Sequence, residues 1–397
     1  MQKRPGYILL LIVLSQFAGT SLWFVGNAVL PELKQALHLS QYAVSLVTTA
    51  VMLGFIAGTL VFAFFSLADR FSPVKLFLIS SLLGALTNSA VAWLVTDTNT
   101  LFALRFFTGF FLAGIYPIGM KIAADWYKKG LGKALGFLLG ALVLGTAFPH
   151  LLKNREFELP WRTVLHCTSV FAIIGGLLIF FLVGDGPYRK RSGAFQLNAI
   201  QQIFAIKKWR QAAFGYFGHM WELYTFWGFV PLIIELYGRK HGLSLNISLL
   251  SFCIIGCGSI SCIAGGYLSQ HWGSAKVATM ALVISGLCCF LSPAFFQLPL
   301  WPFIALLFVW GLAVIPDSPQ FSTLVAQYAP EELRGTALTI YNSIGFSIAT
   351  ISLIVVDRIF HSTGSLGEQN TFLLLGLGAV VGLPSMMGLI RSAVLKK

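Results

Sequence analysis

Long apolar runs separated by short polar loops make up almost the whole chain. Twelve of these runs reach about 20 residues, the length that an α-helix needs to cross the hydrocarbon core of a bilayer. The pattern therefore predicts an all-α integral membrane protein with twelve transmembrane helices. We number the runs spans 1 to 12 in chain order: Tyr7–Leu30, Tyr42–Phe65, Val74–Val95, Leu101–Ala124, Leu131–Leu152, Thr163–Val183, Ala212–Leu236, Ile247–Leu268, Val277–Phe296, Pro302–Val325, Thr336–Val356 and Thr371–Ile390.

Composition supports a membrane protein and argues against a nucleic-acid-binding one. Of the 397 residues, 57% are hydrophobic and only 10% are charged, whereas soluble domains carry about 25% charged residues. The net charge of +13 comes from lysines and arginines in short loops, not from one basic face. The basic-then-apolar start is similar to a signal peptide. Its apolar run continues to Leu30 without a cleavage pattern, so we expect a retained first helix.

The distribution of lysine and arginine predicts the orientation of the spans. With the N-terminus in the cytoplasm, 19 of the 27 basic residues fall on the cytoplasmic side and 7 on the outer side, and Arg105 lies within a span. Basic residues are enriched in cytoplasmic loops. Both termini and the polar linker between spans 6 and 7 are therefore expected to be cytoplasmic.

The two halves of the chain look like repeats of one another. The loop Ser66–Lys75 (SLADRFSPVK) corresponds to Tyr267–Lys276 (YLSQHWGSAK) at an offset of 201 residues. Gly114–Pro117 (GIYP) corresponds to Ala313–Pro316 (AVIP) at an offset of 199. Parallel six-helix repeats are typical of secondary transporters. The predicted division is an N-terminal bundle over 1–184, a cytoplasmic linker over 185–210 and a C-terminal bundle over 211–397.

Two motifs resemble those of the major facilitator superfamily. Leu67–Arg70 (LADR) fits the family's loop G-x-L-A-D-R-x-G-R-[KR] between helices 2 and 3, although Phe65 replaces its first glycine. Arg105 is followed four residues later by Gly109, as in the family's fourth helix. The resemblance implies two pseudo-symmetric six-helix bundles, with spans 1, 4, 7 and 10 lining a central cavity. It also implies a conformational role for three loop residues, Asp69, Arg70 and Lys75.

Two further segments resemble bacterial members of this superfamily that carry the loose label of nitrate or nitrite transporters. They are GIYPIGMKIAADW, which starts at Gly114, and GHMWELY, which starts at Gly218. The nitrate group uses an arginine on helices 2 and 8, and spans 2 and 8 of this chain contain none. The substrate is therefore left open.

Glu222 and His219 are the first candidates for proton coupling. They lie three residues apart within span 7, so they occupy neighbouring positions on the helix. A carboxylate near the centre of a membrane helix costs roughly 2.5–3.5 kcal/mol on insertion scales. One interpretation is that Glu222 carries a proton and that His219 shares it or orients the carboxylate. The other is that Glu222 forms a fixed pair with His219 or an arginine and holds helices together.

Two more charged residues lie deep within spans. Arg105 in span 4 is predicted to bind an anionic substrate or act on Glu222; the alternatives are a structural ion pair and snorkelling to the outer surface. Asp317 in span 10 stands between Pro316 and Pro319, which predict a broken helix. It is a candidate second proton site or gate residue, and the alternative is a local cap or a solvated vestibule residue.

Neutral polar and aromatic residues on the same spans complete the predicted site. Asn27, Tyr116, Trp221 and Tyr224 are the candidates for substrate binding, because aromatic faces can stack on an organic solute. Packing and lipid contact are the alternative for each aromatic ring. Glycines at every fourth position of span 5, Gly132 and Gly136 among them, predict close helix contact.

These observations predict a proton-coupled secondary transporter that works by alternating access and imports a small anionic or zwitterionic organic solute. The first alternative is a proton-driven exporter of an amphipathic compound, and the second is a receptor or a channel. The chain contains no Walker-type GxxxxGK[ST] loop, and neither an enzymatic activity nor a cofactor or metal is expected. The expected partners are a small-molecule substrate, protons and the lipid bilayer, with no nucleic acid. We expect a monomer in a bacterial inner membrane.

Overall fold

The computed structural model describes residues 6–39, 42–127, 131–154, 156–157, 159–189, 199–363 and 368–394. Within these residues the backbone forms helices joined by turns and short loops, and no β-strand occurs. The chain divides into two compact units, Met1–Ala194 and Phe195–Lys397. Residues 190–198 of the predicted linker lie outside the described residues.

The first unit contains spans 1 to 6. Span 2 packs against span 4, span 3 packs against span 6, and span 1 packs against spans 5 and 6. The helices of this unit are Ile8–Thr20, Val25–Ala28, Leu30–Leu37, Ala43–Phe64, Leu67–Arg70, Pro73–Leu94, Thr98–Leu112, Tyr116–Trp126, Leu131–Leu152 and Trp161–Leu178, which continues as a π-helical turn over Ile179–Val183.

The second unit contains spans 7 to 12. Span 7 packs against spans 11 and 12, and span 9 packs against spans 10 and 12. The α-helices of this unit are Ala199–Ala205, Lys207–His241, Ile247–Gly256, Gly258–Trp272, Ser274–Phe295, Leu300–Ala313, Ser318–Tyr328, Arg334–Ser362 and Leu377–Val394, and Glu331–Leu333 and Glu368–Gly376 are 3₁₀-helical.

Ten of the twelve predicted spans coincide with helices that are long and apolar enough to cross a membrane. Span 1 differs because its apolar helix ends at Thr20 and short helices follow it. Span 7 differs in composition and not in length. Its helix Lys207–His241 has 35 residues, and its histidine, glutamate, tyrosine and tryptophan residues lower its mean hydropathy.

Spans 1, 4, 8 and 10 are interrupted within the predicted membrane region, span 8 only at Cys257. The interruption in span 10 follows Ala313 and ends at Ser318, as its two prolines predicted. Span 4 is interrupted between Leu112 and Tyr116. In span 1, Thr20 Oγ1 donates to the carbonyl of Gln16 at 2.8 Å, which gives this carbonyl a bond close to the end of the first helix.

Glycines allow the closest contacts between helices within each unit. A Cβ on Gly109 in span 4 would lie 1.9 Å from the carbonyl oxygen of Val51 in span 2. Gly218 in span 7 and Gly378 in span 12 face each other in the same way, with a Cβ on either 2.2 Å from the other's carbonyl oxygen. The prediction for span 5 is wrong at two positions, since a Cβ at Gly132 or Gly136 would meet no described atom within 4 Å.

Candidate functional site

The carboxylate of Glu222 is buried within the second unit and is held by neutral donors. Its residue is 1% exposed. Trp310 Nε1 donates to Oε1 at 2.7 Å, and Ser285 Oγ donates to Oε2 at 3.0 Å. The thiol of Cys289 is a third donor. Within the described residues no lysine, arginine or histidine forms an ion pair with Glu222.

His219 pairs with Asp317 and not with Glu222. Its Nδ1 lies 2.9 Å from Asp317 Oδ1, and both side chains are 1% exposed. The expectation that His219 orients or shares a proton with Glu222 is therefore corrected: the interruption in span 10 brings Asp317 to the imidazole. Tyr216 stacks on the His219 ring at 5.8 Å, and Phe321 lies 6.0 Å from it. Span 7 thus contacts two separate buried carboxylates, its own Glu222 and Asp317 of span 10.

Trp221 and Tyr224 lie on the same helix and make contacts within the second unit. Trp221 Nε1 donates to the carbonyl of Leu374 at 2.8 Å, which links span 7 to the start of span 12. Tyr224 is 4% exposed, and its ring lies 5.5 Å from Trp227 and 5.1 Å from Phe346. These contacts describe packing, and a role in substrate binding stays a prediction for both residues.

Arg105 is fully buried in the first unit, where it supports the interruption in span 1. Nη2 donates to the carbonyls of Leu22 and Trp23 at 3.1 and 2.8 Å, and Nη1 donates to Asn88 Oδ1 at 2.9 Å. These carbonyls lie where span 1 is not helical, so the guanidinium supplies donors that the backbone lacks. Because Arg105 is 0% exposed, snorkelling to the surface is excluded. No carboxylate pairs with it among the described residues.

Asn27 and Tyr116 are also found in the first unit. Asn27 Nδ2 donates to Thr48 Oγ1 at 2.7 Å, and its Oδ1 has no hydrogen-bond donor among the described residues. Tyr116 is the first residue of the second half of span 4, and its ring stacks on Phe55 at 6.4 Å. Substrate binding by either residue remains a prediction.

The three loop residues occupy different environments. Asp69 forms an ion pair with Lys121 of span 4 at 3.3 Å, whereas Arg70 and Lys75 are exposed. Arg189, which follows span 6, donates to the carbonyl of Phe71 at 2.6 Å. The loop is therefore tied to span 4 and to the segment after span 6.

The sequence did not single out several polar residues that the structure buries. Asp357 is 0% exposed and lies 3.6 Å from His361 Nε2; it was missed because span 11 was predicted to end one residue earlier. Gln16 is also 0% exposed. Trp310, the donor to Glu222, was also not singled out, because it lies in an apolar stretch of span 10 that contains other aromatic residues.

No group of three or more histidine, cysteine, aspartate or glutamate side chains that could hold a metal ion occurs within the described residues.

Comparison with known proteins identifies the family. The family model of the Major Facilitator Superfamily matches residues 11–353. The probable galactarate/D-glucarate transporter GarP of Escherichia coli K12 is 32% identical over 120 residues, which are 29% of this chain and 26% of that protein. The chain thus matches only about a quarter of the length of this curated relative.

Solved structures share the fold over nearly the whole chain. A bacterial homolog of the human lysosomal transporter Spinster aligns with a TM-score of 0.75 at 13% identity, covering 98% of each chain. The proton:xylose symporter XylE aligns with a TM-score of 0.73 at 13% identity, covering 96% of this chain and 94% of XylE. The predicted fold class and the absence of an enzymatic assignment are confirmed: the chain belongs to the Major Facilitator Superfamily and is a multi-pass membrane transporter.

Proposed function

We propose that this transporter couples proton movement to the import of a small anionic organic solute by alternating access between its two six-helix bundles. The bundles would comprise 1–184 and 211–397, joined by a cytoplasmic linker over 185–210. We further propose a monomer in a bacterial inner membrane, with both termini in the cytoplasm.

The observation that carries the proposal is the environment of Glu222. An ionised carboxylate in a buried site is stable only when it is paired or hydrogen-bonded, and protonation removes the need for a counter-ion. Glu222 has donors from Trp310, Ser285 and Cys289 but no basic partner among the described residues. Its charge is therefore not locked by a fixed ion pair, as a group that must gain and lose a proton requires.

The His219–Asp317 pair supports a second proton-binding position on the same helix. A protonated imidazole beside the Asp317 carboxylate gives an ion pair, whereas a neutral imidazole leaves a single buried charge. Asp317 is the last residue of the interruption in span 10, so a rearrangement of this interruption would change the distance to His219. We assign the pair to coupling between proton binding and movement of span 10.

The charge of Arg105 supports the assignment of an anionic solute. An arginine keeps its charge under all ordinary conditions, and the acceptors of Arg105 in the described part of the chain are an amide oxygen and two carbonyls. A positive charge without a buried counter-charge makes the potential of the first unit favourable to anions. The partial similarity to a probable galactarate/D-glucarate transporter agrees with an organic acid.

Uptake into oriented membrane vesicles tests the solute class and the direction together. Right-side-out vesicles with acid outside and inverted vesicles with acid inside would each be given radiolabelled D-glucarate, adipate, gluconate and xylose. We expect accumulation of at least one acid in right-side-out vesicles and its collapse with a protonophore. Accumulation only in inverted vesicles would make the protein an exporter, and uptake of xylose alone would remove the anionic assignment.

A further inference from the structure

Gln16 in span 1 carries a buried amide without hydrogen-bond partners. The residue is 0% exposed, and neither Nε2 nor Oε1 bonds to any described residue. A buried amide normally has partners, because it loses its bonds to water on burial. A group that the folded chain leaves unsatisfied in this way is available to a ligand or to a buried water.

The amide points towards a position in span 4 that has no side chain. A Cβ built on Gly119 would lie 2.1 Å from Gln16 Oε1 and 3.3 Å from its Cδ. The ring of Phe77 in span 3 lies 3.5 Å from the same Cβ position. Gly119 therefore allows the amide to occupy this place, and any larger residue would displace it.

Tyr116 lies one helical turn before Gly119, on a neighbouring position of the same helix. Its ring is partly exposed. An aromatic face of this kind packs well against the carbon skeleton of an organic solute, with polar groups directed to the side. The site thus combines one neutral amide with one aromatic surface.

We propose that Gln16 and Gly119 form a subsite that recognises a hydroxyl group of the transported solute, so that the solute is a hydroxylated organic acid. This inference rests on the proposed function. An amide presents both a donor and an acceptor. A carboxylate only accepts and would leave Oε1 unpaired, and an ammonium only donates and would leave Nε2 unpaired. A hydroxyl donates to Oε1 or accepts from Nε2, and two neighbouring hydroxyls satisfy both atoms.

Matched pairs of acids test the subsite in the purified full-length protein. D-glucarate and adipate have the same chain length and charge and differ only in their hydroxyls; gluconate and hexanoate form a second pair. We expect the wild-type protein to bind the hydroxylated member of at least one pair tenfold or more tightly than its deoxy partner. Gln16→Met keeps the side-chain volume and removes both hydrogen-bonding groups. The variant should bind the hydroxylated acid about tenfold more weakly than the wild type does, and its affinity for the deoxy acid should be unchanged.

Gly119→Ala provides an independent variant, because its methyl group would push the amide out of place. It should reduce the same preference, while Gly136→Ala, which meets no described atom within 4 Å, should not. Thermal unfolding checks that each variant is folded. The subsite would be overturned if Gln16→Met lost equal affinity for both acids, or if the wild type showed no preference for a hydroxylated acid. The amide would then be a partner for a buried water. Proton-coupled uptake of a deoxy acid would then still support the proposed function.

Discussion

The indole nitrogen of Trp310 in span 10 donates a 2.7 Å hydrogen bond to Glu222 Oε1 in span 7. Both side chains are 1% exposed, so water cannot replace this bond. Phe226 stacks on the Trp310 ring with centroids 4.4 Å apart, which fixes the orientation of the indole. The contact makes the state of the carboxylate sensitive to any movement of span 10.

Trp310→Phe should destabilise the protein by about 1–3 kcal/mol, because it leaves a buried carboxylate oxygen without its donor. Unfolding in mixed micelles measures the change. Trp301→Phe is the matched control, since Trp301 is 76% exposed. In a Glu222→Gln background the loss of stability caused by Trp310→Phe should be smaller. An unchanged loss would mean that packing of the indole ring, and not its hydrogen bond, dominates the contact.

The partners of the His219–Asp317 pair should be coupled in a double-mutant cycle. Asp317→Asn and His219→Asn each remove one partner and leave the other buried, so both should destabilise the protein and slow transport. The double variant should lose less stability than the sum of the two single losses, with a coupling free energy of about 1–3 kcal/mol. Additive losses in stability and in transport rate would show that the two residues act independently.

Arg105→Lys should lower stability although the charge is kept. A lysine cannot reach Asn88 and the two carbonyls of span 1 together, and the expected cost is about 2–4 kcal/mol. Arg162→Lys is the control, because Arg162 is exposed and donates a bond to the carbonyl of Ala92. If Arg105→Lys unfolds like the wild type but loses anion uptake, Arg105 contacts the solute and does not support span 1.

Asp97 caps the start of span 4, and its contribution should depend on pH. A hydrogen bond from the Thr100 side chain, joined by backbone bonds from Thr100 and Asn99, holds the pKa of Asp97 below its ordinary value. A lowered pKa means that the stabilising effect is present above the ordinary value of about 4 and is lost as pH falls through the lower folded value.

Amide exchange at Thr100 checks this prediction. At pH 7 the Thr100 amide should exchange faster in Asp97→Ala than in the wild type. This difference in exchange rate should disappear in acid. A difference that persists at pH 2 would show that the carboxylate charge does not contribute.

Much of the helical framework was predictable because length and hydropathy are local properties. Span 5 was predicted at Leu131–Leu152 and is found there, and Pro316 and Pro319 pointed to the interruption of span 10. The interruption of span 1 was not predictable, since it contains no proline and depends on Arg105, a residue distant in sequence.

The candidate site was predictable as a set of residues but not as a set of contacts. Helical spacing placed His219 beside Glu222, whereas the structure pairs it with Asp317 because side-chain direction depends on the neighbouring span. Spacing along one helix cannot show which partner a second helix brings. Gln16 was not among the predicted site residues, since its lack of hydrogen-bond partners is a property of the packed bundle.

The most direct test of the account is solute-driven proton movement in liposomes that hold a pH dye, compared between the wild type and Glu222→Gln. Glutamine keeps the shape of the side chain and an acceptor for Trp310, but it cannot carry the proton. We predict that an organic acid from the uptake panel acidifies wild-type liposomes, and that the variant loses this response while it still exchanges labelled solute for unlabelled solute. Equal acidification in both proteins would contradict the assignment of the proton to Glu222.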